Sequence, residues 1–124
     1  MKDGATGSRP VSISTAAHYT WGAGCDGWHL VNRPELSVIR ERMPPGTSEA
    51  RHFHTAARQF FHILAGAAIL EVEGVEFFVS AGEGLEVAPG SRHRIFNRSE
   101  GPLEFLVVSQ PHSHGDRTLA PSQP

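Results

Sequence analysis

Cysteine is nearly absent from this chain. The 124 residues contain one, Cys25, so an intrachain disulfide and a thiolate-based zinc site are both excluded. Standing among Gly22, Gly24 and Gly27, it reads as a small residue in a loop. A dominant sign of charge is missing too. Eleven Lys and Arg stand against 13 Asp and Glu, with no massed run, which leaves no electrostatic footprint for nucleic acid or an anionic membrane. No apolar run approaches the ~20 residues of a membrane helix. The opening "MKDGATGSRP" has no apolar segment of the signal-peptide kind. Asn97-Arg98-Ser99 fits a glycosylation pattern, which carries no weight without a secretory signal. The expectation is a soluble, cytoplasmic protein with no nucleic-acid or membrane partner. Sustained helical periodicity with caps is also lacking.

Turn residues are abundant instead: 13 glycines and 9 prolines, at short intervals. Between them lie brief strand-like segments. "LSVIRERM" (Leu36 to Met43) stops at Pro44-Pro45-Gly46, and "FFHILAG" (Phe60 to Gly66) stops at its glycine. "AILEVE" (Ala68 to Glu73) and "VEFFVS" (Val75 to Ser80) read as a hairpin turning at Glu73-Gly74. "GEGLEVAPGSRH" holds a short strand, and "RIFN" and "LEFLVVS" (Leu103 to Ser109) flank a turn. Short strands with such punctuation predict an all-β sandwich or barrel. The length suits one domain, with residues 1–10 expected to be disordered, 11–110 forming the barrel and 111–124 a tail that is disordered or draped over the surface.

Eight histidines are scattered along the chain. His112 and His114 fall in the tail and read as solvated. His52 and His54 are two apart, so on a strand both imidazoles face one side, with Phe53 on the other. Two imidazoles held together inside a barrel repel when protonated and leave polar groups unpaired when neutral. A divalent transition metal resolves that conflict, although a surface strand with two solvated histidines has the same pattern.

The surrounding residues carry more. Gly46, His52, His54, Gln59 and Gly66 follow the first motif of the cupin family, which the chain resembles. Gly82, Ala88-Pro89-Gly90, His93 and Asn97 follow the second motif. A random match at three fixed histidine positions is expected roughly once in four thousand trials at this histidine content. The resemblance implies an antiparallel double-stranded β-helix, the jelly-roll barrel, with each motif supplying two strands at one mouth. It also implies that His52, His54 and His93 are ligands of one divalent transition metal ion, with Gln59 in the place of a glutamate. Ala88, where the motif has proline, changes only a turn-stiffening position.

Gln59 has two readings. As a neutral ligand it leaves the ion its full charge; as a lesion it leaves a site that holds metal poorly. Zn, Ni, Fe, Mn and Cu all suit imidazole, whereas Ca and Mg want oxygen. Phe61, Ile63 and Phe96 are expected at the mouth, and His62 on the opposite face of its strand. His18 and His29, near Tyr19, Trp21 and Trp28, would cap the barrel or form a subunit contact, and a homodimer is the family default. The functional expectation is a metal-dependent enzyme acting on a small oxygenated molecule, of dioxygenase, isomerase or cyclase type. Glu41, Glu49 and Arg51 are candidates for acid–base work, and no general base is assigned. The alternatives are a non-catalytic small-molecule-binding module and a structural barrel with incidental metal.

Overall fold

The computed structural model describes residues 7–121, so the expectations for residues 1–6 and 122–124 lie outside the described residues. Eleven strands and no helix make up the described chain. They are β1 (Ala17–Trp21), β2 (Cys25–Arg33), β3 (Leu36–Met43), β4 (His52–His54), β5 (Arg58–Ala65), β6 (Ala67–Val72), β7 (Val75–Ser80), β8 (Gly84–Val87), β9 (His93–Phe96), β10 (Leu103–Gln110) and β11 (Arg117–Leu119). Two antiparallel sheets face each other, ordered β1-β2-β3-β10-β5-β8 and β11-β4-β9-β6-β7. The expected all-β jelly roll is what the chain forms.

Period-two alternation decides which side chains meet between the sheets. On β5, Gln59, Phe61 and Ile63 are buried, while Phe60 and Leu64 are exposed and His62 is half-buried on the outer side. On β10, Leu103, Phe105, Val107 and Ser109 point in. Cross-strand register sets Gln59 opposite Ser109 and Ser109 opposite Ser37, with Phe61, Val107 and Ile39 in the next row. The core continues through Met43, Leu70, Val87 and Ile95. Each such side chain contributes about 1.5–3 kcal/mol on burial.

The hairpin expected at Glu73-Gly74 is present. Both residues have positive φ, 49° and 86°, as a two-residue primed turn requires. Cys25 departs from expectation. It opens β2 and is fully buried in the core, because Gly22 and Gly24 take positive φ and turn the chain back sooner than the glycine cluster suggests.

Of the two readings of the segment after Gln110, disordered or draped over the surface, the described residues take the second, with a strand added. The segment's β11 pairs antiparallel with β4; the Ala120 amide donates to the Arg51 carbonyl, and the Arg51 guanidinium donates to the Ala120 carbonyl. β4 has one residue pair with β9, His52 opposite His93, and so offers its other edge for pairing.

Candidate metal centre

The three motif histidines converge from two neighbouring strands. His52 and His54 point inward from β4 and His93 from β9, all buried. Their candidate ligand atoms lie within 4.8 Å of one another. Ring centroids are 5.0 Å apart for His52 and His54, 4.5 Å for His52 and His93, and 5.9 Å for His54 and His93.

Backbone carbonyls orient two of the rings. The Ala50 carbonyl accepts from His52 Nδ1 at 2.8 Å, and the Ser91 carbonyl accepts from His93 Nδ1 at 2.9 Å. A proton on Nδ1 leaves Nε2 with a free lone pair, the form a metal takes. Burial lowers all three basicities: His52 falls to about 3, His54 to about 4, and His93 shifts the same way. Near pH 7 three neutral imidazoles therefore share one space.

Gln59 completes the set. Its Nε2 donates to Ser109 Oγ at 3.0 Å, and with the amide so assigned its Oε1 lies 3.1 Å from His93 Nε2. With that orientation of the amide, either tautomer of neutral His93 leaves one nitrogen lone pair facing an oxygen lone pair; the turned amide would instead donate to His93 Nε2 and accept from Ser109 Oγ. With Nδ1–H on Ser91, that unfavourable pair is His93 Nε2 and Gln59 Oε1. A cation bound by both atoms would relieve it, since two donors each about 2.1 Å from one ion lie about 3.0 Å apart at a right angle and about 3.4 Å apart at the tetrahedral angle. His54 makes no short hydrogen bond through Nδ1, and the Asp116 backbone is the polar main chain that acts on this ring. The donor set thus fits a transition metal, and the three histidines could hold one.

His52, His54 and Gln59 line a cavity of about 470 Å³, a size suited to a small molecule. Of the three expected lining residues, Phe61 lines it and Ile63 lies in the core. Phe96 does neither. Counted from His93 in steps of two, position 96 falls on the outer face, and Phe96 there meets the guanidinium groups of Arg94 and Arg98 at 4.6 and 4.5 Å.

The opposite wall is acidic. Tyr19 donates its hydroxyl to Glu41 Oε2 at 2.7 Å. Burial raises Glu41 to about 7; the Tyr19 bond and Arg117 pull it down. Burial, then the charge of Glu41, raises Glu49 to about 8. Tyr19 is also raised, mainly by burial. Both glutamates line the cavity, but Arg51 does not, being held by Glu71 at 2.8 and 3.2 Å. Tyr19, Trp21 and His29 close one side of the cavity, whereas Trp28 packs against His18 at 5.2 Å, so the aromatic cluster is split between two faces.

Three contributors were not legible as site residues. Ser109, Asp116 and Arg117 belong to no motif and reach the site only through strand pairing. Arg117 lines the cavity, donates to the Ala50 carbonyl at 3.3 Å and lies 3.5 Å from His52 Nδ1. His112 and His114 line the mouth, with His114 exposed. Asn97, the last motif position, is fully buried and structural. Its amide donates to the carbonyls of Met43 and Gly101, both at 2.9 Å, and its oxygen accepts from Ser99, so it offers no glycosylation site.

Comparison with known proteins agrees with this architecture. Residues 39–109 match the family described as "Cupin domain". An uncharacterised protein of Methanocaldococcus jannaschii is 29% identical over 84 residues, 67% of each chain. The oxalate-binding protein of Thermotoga maritima is 32% identical over 85 residues, covering 64% of this chain and 70% of that one. A Klebsiella pneumoniae protein with a double-stranded β-helix domain superposes with a TM-score of 0.78 at 21% identity, over 93% of this chain and 99% of that one. With the two sheets, the three converging histidines and a family match spanning more than half of its length, the chain belongs to the cupin family.

Proposed function

We propose that this cupin binds one divalent transition metal ion (Zn, Ni, Fe, Mn or Cu) through His52, His54, His93 and Gln59, and uses it to act on a small oxygenated molecule. The observation that carries the reading is the convergence of three neutral imidazoles on one space, with Gln59 Oε1 3.1 Å from His93 Nε2. When bound, the ion supplies a Lewis acid whose charge the four neutral donors do not offset.

The chain's own groups suit proton chemistry on a carbonyl or hydroxyl compound. Trp21, Phe61 and Val107 exclude water from part of the cavity. Glu41 and Glu49 both titrate near neutrality, where a carboxyl can give or take a proton, and the Tyr19 hydroxyl fixes the direction of Glu41. Arg117 offers a guanidinium to a ligand carboxylate. Isomerisation and cyclisation fit this set; dioxygenation requires a redox-active ion.

The test is elemental analysis of untagged protein purified without added metal, beside His93→Ala. About one equivalent of a transition metal, lost in the variant, is the expected result; metal-free protein that takes up none on titration refutes the reading. Turnover, sought across diketones, hydroxyketones and catechols, should disappear in His52→Ala. A second reading, capture without conversion, is favoured by the name of the 32% identical oxalate-binding protein. A ligand recovered unchanged after prolonged incubation supports capture, and steady consumption excludes it.

A further inference from the structure

We infer that the C-terminal segment, residues 112–120, is a positioning part of the metal centre, with Asp116 setting the turn that joins β4, which carries His52 and His54, to β5, which carries Gln59. The inference rests on the metal reading above. His54 ends β4 and Gln59 is the second residue of β5, so residues 55–57 govern how those two donors sit relative to each other.

That turn is held by one carboxylate. Asp116 Oδ1 accepts from the Thr55 amide at 3.0 Å, and Oδ2 accepts from the amides of Ala56 and Ala57, both at 3.0 Å. Three backbone N–H groups converging on an anion form a charge-assisted nest. Those bonds, the Ala56 amide first, hold the Asp116 carboxyl below its usual range, so it is ionised at neutral pH.

The neighbouring residues fix the same segment. β11 pairs with all three residues of β4, Arg117 opposite His54 and Leu119 opposite His52. The Ala120 amide donates to the Arg51 carbonyl at 2.9 Å, which fastens the far end. The C-terminal segment itself lies outside the family match, which stops at residue 109. The segment bonds the ligand strand and its following turn, reaches the Pro34 carbonyl through the His112 amide at 3.2 Å and buries Ala120, but adds no side chain to the main hydrophobic cluster. Its loss should therefore loosen the donor set more than the fold.

The deciding experiment titrates Co2+ into metal-stripped wild type, Asp116→Asn, Asp116→Ala and His93→Ala, reading affinity and visible absorption together with thermal unfolding of each metal-free protein. Positioning predicts that Asp116→Ala binds cobalt about tenfold to a hundredfold more weakly, with altered absorption. Asp116→Asn should fall between it and wild type, and the metal-free proteins should unfold within a few degrees of one another. Wild-type affinity and absorption in both Asp116 variants overturns the inference. If Asp116→Ala does not fold, the isosteric Asp116→Asn decides by the same readings. Wild type that binds no cobalt sinks the metal reading itself, and this inference with it; binding lost only in His93→Ala sinks the inference alone.

Discussion

Gln59 is the residue on which the chemistry turns. Its neighbour Ser109 accepts from the amide nitrogen, which leaves the amide oxygen facing His93. A carboxylate there would accept from the serine hydroxyl instead, keep an oxygen toward His93 and add a negative charge. Gln59→Glu should therefore tighten divalent metal binding by about tenfold or more, because charge-assisted contacts are roughly twice as strong as neutral ones. Competition against a coloured chelator measures it; unchanged affinity would mean that position 59 does not bind the ion. The grouping of His52, His54 and His93 was legible because histidine is a rare residue type and the three stand at fixed spacings. Phe96 was misread for want of a phase: the same two-residue step that sends His93 and Ile95 inward sends Arg94 and Phe96 out. Ser109 carried no signal, since its role exists only through its register with Gln59, fifty positions away.

Among elements, those with strong alternation and firm stops were the legible ones. Leu36–Met43 was bounded to the residue, and the β6–β7 hairpin declared itself through Glu73-Gly74. β11 was not legible. Three exposed residues, Arg117, Thr118 and Leu119, show no alternation that could be told from a tail, and their partner β4 lies some sixty residues earlier. The link between β5 and β6 gives a sharper expectation. Gly66 has φ of +85°, and a Cβ there would lie 2.5 Å from the Pro102 carbonyl oxygen. Gly66→Ala meets both the left-handed backbone cost and a clash with main chain that cannot rotate away, so it should destabilise by about 2 kcal/mol or more. Urea unfolding reads this directly; a midpoint within error of wild type would show that the two strands can part without cost.

At the scale of the molecule, the buried histidines and the half-buried cavity glutamates pull stability in opposite directions as pH changes. His52, His54 and His93 are less basic folded than unfolded, so their contribution is lost as pH falls from about 6.5 toward about 3. Asp116 and Glu71, both lowered, weaken the acid side further. Glu41 and Glu49 are raised to about 7 and about 8, so what they contribute is present below about 4.5 and is lost as pH climbs through those values. Between about pH 5 and 6.5 the three histidines first outweigh the two glutamates and the two sets come level near the top of that window. The metal-stripped protein should show its highest melting temperature there and fall on both sides; a melting temperature still rising from pH 6.5 to 8 would mean that the glutamates are solvated.

The five-stranded sheet ends at β7, whose backbone edge has no neighbouring strand among the described residues. Its sequence, Val-Glu-Phe-Phe-Val-Ser, has one charge, Glu76, already neutralised by Arg98 at 2.9 Å, and Phe78 is 79% exposed. An open edge of aromatic and β-branched residues is a template on which another chain can add a strand. Colloidal behaviour, then, is set at the end of the barrel's sheet farthest from the C-terminal segment. Phe78→Lys should keep concentrated protein clear on warming where wild type turns turbid, with little change in melting temperature, and equal turbidity would place the first intermolecular contact elsewhere.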